Sequence, residues 1–252
     1  MATKKLFIRT FGCQMNVHDS EQLEELLKGS GYARTESAKE ADLIIVNTCS
    51  IRDKAEQKVY SQLGRYRHLK KAKPGLQIGV CGCVAQQQGE RLLEKAPFLD
   101  LVIGTHNLDR LPECIGLARR TGRPVVRTGF RETVPSIGIP TLPANGAVSA
   151  FVTIMQGCDN YCAFCVVPYL RGREESRKFE DVLAEVRALA AHGVKEVTLL
   201  GQNVNAYGKS FGGGHTFAEL LRAIGGIPGI ERIRFTTSHP KDLSDDIIAC
   251  FR

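Results

Sequence analysis

The chain has 252 residues, 43% hydrophobic and 24% charged, with a formal charge of +7. At roughly 100–200 residues per domain this is one large domain or two small ones, and the composition excludes disorder as the main theme. No window approaches about 18 uninterrupted apolar residues, which excludes a transmembrane helix, and the first nine residues hold too short an apolar run for a signal peptide. A cytoplasmic location is the expectation.

In chain order the apolar patterns predict a strand over 5–10, a helix over 20–28 and a strand over 42–47 apolar enough to be covered on both faces. A helix over 55–69 follows, ended by Pro74-Gly75, then a strand over 76–80, a helix over 86–95, a strand over 99–103 and a helix over 108–119. This alternation predicts an open, mostly parallel α/β sheet. Residues 130–146 hold Pro135, Pro140 and Pro143 without helical or strand periodicity and read as a linker between domains 1–129 and 147–252. A second alternation follows: strand 148–155, helix 179–192, strand 196–200, helix 217–224, strand 232–235 and a helix from 243 onward. Three βα units cannot close an eight-stranded barrel, and the pattern stops inside a helix, so the expectation is a partial (β/α) barrel incomplete at its C-terminal side.

The excess charge lies in the first part: residues 1–146 carry 22 Lys+Arg against 15 Asp+Glu, and residues 147–252 carry 12 of each. Arg65, Arg67, His68, Lys70, Lys71 and Lys73 form a local basic cluster. A run of this kind is either a solvated helix face or a surface that contacts nucleic-acid phosphates.

Nine cysteines without an export signal point to metal or redox chemistry, because cytosolic thiols are kept reduced. Three are bunched in Gly157-Cys158-Asp159-Asn160-Tyr161-Cys162-Ala163-Phe164-Cys165, directly after an apolar strand. Soft sulfur ligands suit zinc or an iron–sulfur cluster. A structural zinc site fills four positions, and no fourth Cys or His follows closely here; three ligands on a four-iron cube leave one iron open. Three further cysteines, Cys13, Cys49 and Cys83, each follow a predicted parallel strand. Strand ends share one edge of an open sheet, where ligands bind, so three separate loops can converge three sulfurs. Cys81 lies at a different depth from Cys83 on its strand and reads as a bystander, while Cys114 and Cys250 read as core thiols.

The C-x-x-x-C-x-x-C loop with Phe164 before its last cysteine resembles the cluster loop of the radical S-adenosylmethionine superfamily. The segments around Cys13, Cys49 and Cys83 resemble the N-terminal domain of the radical S-adenosylmethionine methylthiotransferases. So do Val167–Arg177, Leu200–Gly208 and Phe235–Pro240, which look most like the members that act on isopentenylated adenosine in tRNA. The resemblance implies two [4Fe-4S] clusters, one on Cys158, Cys162 and Cys165 with an open iron for S-adenosylmethionine, the other on Cys13, Cys49 and Cys83. It implies contacts to S-adenosylmethionine from Phe164, Arg177, Gln202, Asn203, Asn205 and Ser238, and assigns no residue a direct catalytic part. Arg171, Arg173 and Arg177 are read as partners for the methionyl carboxylate or an RNA phosphate.

The implied reaction is radical insertion of a methylthio group at carbon-2 of N(6)-isopentenyladenosine next to the anticodon. Implied partners are tRNA and an electron donor such as a flavodoxin or ferredoxin, with the protein a monomer away from membranes. Sibling enzymes modify an aspartate of a ribosomal protein or threonylcarbamoyl-adenosine in tRNA. The reading outside enzymes is a protein whose cysteines hold structural zinc. Members of the family continue through more barrel and a small C-terminal RNA-binding β domain.

Overall fold

Leu43-Ile44-Ile45-Val46 has no polar alternation, and in the computed structural model it forms a strand buried on both faces. The structure describes residues 3–50, 53–131, 146–212 and 214–251, without the side chains of residues 53–56. They fall into two compact units, Met1–Ile139 and Pro140–Arg252, which meet inside the stretch read as a linker. Most of that stretch, residues 132–145, lies outside the described residues.

The first unit runs β1 (Lys4–Thr10), α1 (Gln14–Lys28), β2 (Tyr32–Arg34), β3 (Leu43–Thr48), α2 (Asp53–Ala72), β4 (Gln77–Gly82), α3 (Cys83–Gln88), α4 (Arg91–Lys95), β5 (Leu101–Ile103), α5 (Leu111–Thr121) and β6 (Val125–Arg127). The strands form one sheet in the order β2-β1-β3-β4-β5-β6, with every pair parallel. Alternate residues of β3 serve opposite cores. Leu43 and Ile45 pack with Leu23 and Leu27 of α1 and Ile115 of α5; Ile44 and Val46 pack with Val59 and Leu63 of α2. Full burial of such a side chain is worth about 1.5–3 kcal/mol, so the apolar run itself selects the doubly covered position.

The second unit contains β7 (Ser149–Thr153), β8 (Met155–Gln156), α6 (Val167–Arg171), β9 (Glu175–Ser176), α7 (Phe179–Ala191), β10 (Glu196–Leu200), α8 (Phe217–Gly225), β11 (Arg232–Phe235) and α9 (Asp245–Ala249). β7, β10 and β11 are parallel, in the order β11-β10-β7. Val182, Val186 and Leu189 of α7, and Phe217, Leu220, Leu221 and Ile224 of α8, recur at helical spacing and close one core over this sheet. α8 starts at a capping box: Thr216 Oγ1 accepts from Glu219 N, and the Glu219 carboxylate accepts from Thr216 N. Among the described residues no helix is long and apolar enough to cross a membrane.

Several expected elements differ in extent. The helix expected over 86–95 is two, α3 and α4, because Gly89 adopts φ +51 between them. The strand expected over 148–155 divides into β7 and β8, and the helix expected from 108 begins as a 3-10 turn over Thr105–Arg110 before α5. The helix expected from 243 is a 3-10 turn over Pro240–Asp242 followed by α9, which Ser244 caps. α1 begins six residues earlier than its apolar periodicity, for a reason that belongs to the site.

Candidate metal centres

α1 packs on one face of the first sheet and α2 on the other, so the chain departs in opposite directions at the C-terminal ends of β1 and β3. An open α/β sheet binds ligands in the crevice made at such a reversal. Cys13, Cys49 and Cys83 leave the ends of β1, β3 and β4, which are adjacent strands. Cys13 is exposed at the N-cap of α1, while Cys49 and Cys83 are buried.

Asn16 joins these loops. It is wholly buried, its Nδ2 donates to Asn47 Oδ1 (3.3 Å) and to Thr48 O (3.2 Å), and its Oδ1 accepts from Cys13 Sγ (3.3 Å). Asn47 Nδ2 in turn donates to Asn16 O and Ser20 Oγ, both at 2.9 Å. The approach is close enough to require glycine at two places. A Cβ on Gly12 would stand 2.4 Å from Cys49 Cβ, and one on Gly82 (φ +87) would stand 2.4 Å from Asn47 Oδ1 and 2.6 Å from Thr48 O. Here lies the reason α1 starts early. Its first turns bury Asn16, His18, Asp19 and Ser20, polar residues that apolar periodicity passes over. Asn16 escaped the sequence reading, although an Asn three residues after a loop cysteine was a usable signal.

Cys81 has a different environment. It is fully buried with Leu101, Ile103 and Cys114, and burial pushes its thiol far above the ordinary range, with Cys114 and Asp19 adding to the shift. Enclosed among apolar side chains, Cys81 has the surroundings of an inert structural thiol. Cys81→Ala is therefore expected to keep all of the iron that the wild type binds, at a cost of about 1–2 kcal/mol in denaturant unfolding. Loss of iron would make Cys81 a ligand.

In the second unit the bunched cysteines lie on a loop clasped at both ends by the antiparallel β8–β9 ribbon. Cys158 N donates to Gly172 O (3.2 Å), and Gly157 N donates to Gln202 Oε1 (2.6 Å). Cys158 is buried, while Cys162 and Cys165 are half-buried. Burial pushes the Cys158 thiol up, the backbone N–H of Asn160 opposes this, and Cys165, Glu174 and Cys162 add to it. Among the described residues no three His, Cys, Asp or Glu side chains stand as a ready site for a single metal ion. The donor chemistry, three thiols on one loop and three at one sheet edge, suits iron–sulfur clusters, in which each cysteine serves its own iron.

Three of the six residues expected to contact S-adenosylmethionine make side-chain hydrogen bonds within the protein. Arg177 Nη1 donates to Thr153 O (2.7 Å) and to Glu185 Oε2 (2.6 Å), and both side chains are largely buried. Gln202 holds the start of the cysteine loop. Asn203 spends both ends of its buried amide: Oδ1 accepts from His239 N (3.0 Å) and Nδ2 donates to Asp242 (2.6 Å). Each of the three side chains ties protein segments together. Asn205 differs, because its buried Oδ1 has no hydrogen-bond partner, the kind of acceptor that a ligand ammonium satisfies. Ser238 is exposed, and Phe164 is 94% exposed. Arg177→Met is expected to cost about 3–5 kcal/mol in unfolding free energy, since it strands the Glu185 carboxylate in the interior. Near-wild-type stability would show the pair to be dispensable.

Beside the loop lies a polar cavity of about 180 Å³ lined by Asp159, Glu174, Lys209, Lys241 and Asp242 among others. Burial pushes the Glu174 carboxyl up to about 7. In the basic cluster, Lys70 pairs with Asp100 (2.5 Å) and Lys73 with Asp42 (2.7 Å), whereas Arg65, Arg67, His68 and Lys71 are exposed.

Fold and sites define an α/β protein with a doubly wound N-terminal unit and a second unit of parallel βα repeats carrying a three-cysteine loop. Residues 5–104 match the family described as "Uncharacterized protein family UPF0004", and residues 152–250 match the radical SAM superfamily. The chain is 60% identical over 248 residues to the tRNA-2-methylthio-N(6)-dimethylallyladenosine synthase of Syntrophus aciditrophicus (strain SB), covering 98% of this chain and 54% of that protein. It is 56% identical over 249 residues to the protein of that name from Geobacter sulfurreducens, covering 98% of this chain and 56% of the relative. Thus the chain spans about half the length of the curated relatives it matches. In fold it is similar to the radical S-adenosylmethionine methyltransferase TsrM from Kitasatospora setae, with a TM-score of 0.63 at 14% identity, over 98% of this chain and 57% of that one. The chain thus joins a UPF0004 match to a radical SAM match, and nearly all of it is similar to about half the length of these synthases.

Proposed function

We propose that the protein is a tRNA methylthiotransferase that places a methylthio group on carbon-2 of N(6)-isopentenyladenosine next to the anticodon. The observation that carries this reading is the pair of three-thiol sets, one on a clasped loop of the radical SAM unit and one at the switch point of the N-terminal sheet. The names of the relatives at 60% and 56% identity supply the substrate. In this reading Cys158, Cys162 and Cys165 hold the [4Fe-4S] cluster that takes S-adenosylmethionine, and Cys13, Cys49 and Cys83 hold a second. Bound there, S-adenosylmethionine and the clusters supply radical chemistry and the sulfur.

The chain's own residues bind, orient and shield. Asn205 Oδ1 accepts from the ammonium of S-adenosylmethionine, and the exposed Ser238 and Phe164 also contact that cofactor. Arg177, Gln202 and Asn203 fix the loops around it. Arg65, Arg67 and Lys71 neutralise tRNA phosphates in a salt-dependent way, with His68 on the same exposed stretch. Residues 1–129 act as the methylthiotransferase domain and residues 147–252 as the radical SAM core, joined by 130–146. A flavodoxin or ferredoxin supplies electrons to a cytoplasmic monomer.

The test is mass spectrometry of tRNA nucleosides from a strain lacking the protein and from one complemented with the full-length gene. The methylthio nucleoside should vanish in the first and return in the second. An unchanged nucleoside profile, or a colourless zinc-only protein after anaerobic purification, would overturn the reading.

A further inference from the structure

We propose that His239 donates its Nε2–H to the sulfur of Cys162 and thereby raises the reduction potential of the cluster held there. This rests on the reading of Cys162 as a cluster ligand. The imidazole Nε2 lies 3.7 Å from Cys162 Sγ. At the other side of the ring, Nδ1 accepts from the backbone N–H of Lys241 (3.2 Å). A ring nitrogen that accepts a hydrogen bond carries no hydrogen, so the neutral imidazole bears its proton on Nε2, facing the sulfur.

The backbone that carries the ring is held at several points. His239 N donates to Asn203 Oδ1 (3.0 Å), His239 O accepts from Asn205 Nδ2 (3.5 Å), and Thr237 O accepts from Val204 N (3.0 Å). Lys241 Nζ reaches across to Asn160 Oδ1 in the cysteine loop (2.8 Å), a second tie between the same two segments. Both segments carry backbone strain. Thr237 sits at φ +70 and Tyr161 at φ +44, a region that side chains with a Cβ rarely adopt and a β-branched residue hardly at all. Such conformations persist where the surroundings over-determine them, and they collect at functional sites.

A donor aimed at a cluster sulfur stabilises the more negative, reduced state over the oxidised one, and so raises the potential. His239 is in this sense a positioning and tuning residue. It touches the ligand sulfur, and no contact with the reacting atoms is implied.

The experiment is a mediated redox titration of the cluster-loaded full chain, following the paramagnetic signal that responds to S-adenosylmethionine. Three variants separate the roles of the ring. His239→Leu removes both hydrogen bonds. His239→Asn keeps an acceptor for Lys241 N and falls short of the sulfur, while His239→Gln keeps a donor of the right reach. At the wild-type midpoint, the reduced-to-oxidised ratio should fall about tenfold in the Leu and Asn variants, the order expected for one charge-assisted hydrogen bond, and recover in Gln. The wild type should also show a cluster-coupled proton that exchanges in deuterium oxide and is lost in Leu and Asn. Unchanged potentials in Leu and Asn, or a loss confined to Leu, would overturn the proposal, the latter by assigning His239 to the turn alone. A Cys162→Ala variant that kept the responsive signal would instead overturn the assignment of the ligand, and with it the reading beneath.

Discussion

Joint replacement of Cys158, Cys162 and Cys165 by Ala is expected to remove about half of the bound iron and to bring S-adenosylmethionine cleavage down to background. Joint replacement of Cys13, Cys49 and Cys83 should remove the other half and leave cleavage intact, while methylthio transfer stops. The physical ground is that the two thiol sets belong to different compact units, each built on its own sheet and its own core. Losing the ligands of one set leaves the core of the other unit intact, so the two effects should separate. Iron, sulfide and S-adenosylmethionine cleavage, measured anaerobically on the wild type and both triple variants, check this. A first variant without any iron, or one still cleaving the cofactor, would mean that the thiols form one site or that the ligands are assigned wrongly.

Much of the first sheet was legible because β3 and β4 are buried throughout and β1 carries the apolar stretch Leu6-Phe7-Ile8, so hydrophobic pattern suffices to foresee them. The edge strands β2 and β6 were not, since each buries a single residue, whereas the equally short β5 is Leu-Val-Ile and wholly buried. α6 was missed as well: five residues with Pro168 in the first turn present a turn signal as much as a helix signal. The thiol sets could be read because sulfur is scarce and its spacing is chemical. The residues that bring them together could not. Asn16, Asn47 and Asn203 look like ordinary loop or cap asparagines until their burial and both ends of their amides are seen. The same holds for Arg177, which reads as a free cation and is a buried partner of Glu185. Local chemistry survives in a sequence, but what a polar side chain faces depends on how the chain folds back on itself, as Asn16 on Asn47, Asn203 on His239 and Arg177 on Thr153.

Asn16 and Gly82 turn that last point into a sharp expectation for the N-terminal site. At Gly82 an added methyl would meet Asn47 Oδ1 and the Thr48 carbonyl at 2.4 and 2.6 Å, and the second of these is backbone, with little freedom to withdraw. The φ of +87 adds strain that only glycine avoids. Together these should cost about 3–5 kcal/mol, a large part of a typical domain's stability. Asn16→Ala should cost about 2–4 kcal/mol, because it leaves Asn47 Oδ1 and Thr48 O buried with one donor fewer. Both variants should lose the iron of Cys13, Cys49 and Cys83 while cleavage of S-adenosylmethionine continues, since the second unit has its own core. Gly64→Ala is the control: it lies in α2 with nothing within 4 Å of the added methyl, and it should stabilise by about 0.5–1 kcal/mol. Iron content, together with denaturant unfolding of the three variants, decides the matter. Full iron in Gly82→Ala or Asn16→Ala would show that the three loops converge by some other means, and equal losses in all three would show that the assay reports handling instead of the site.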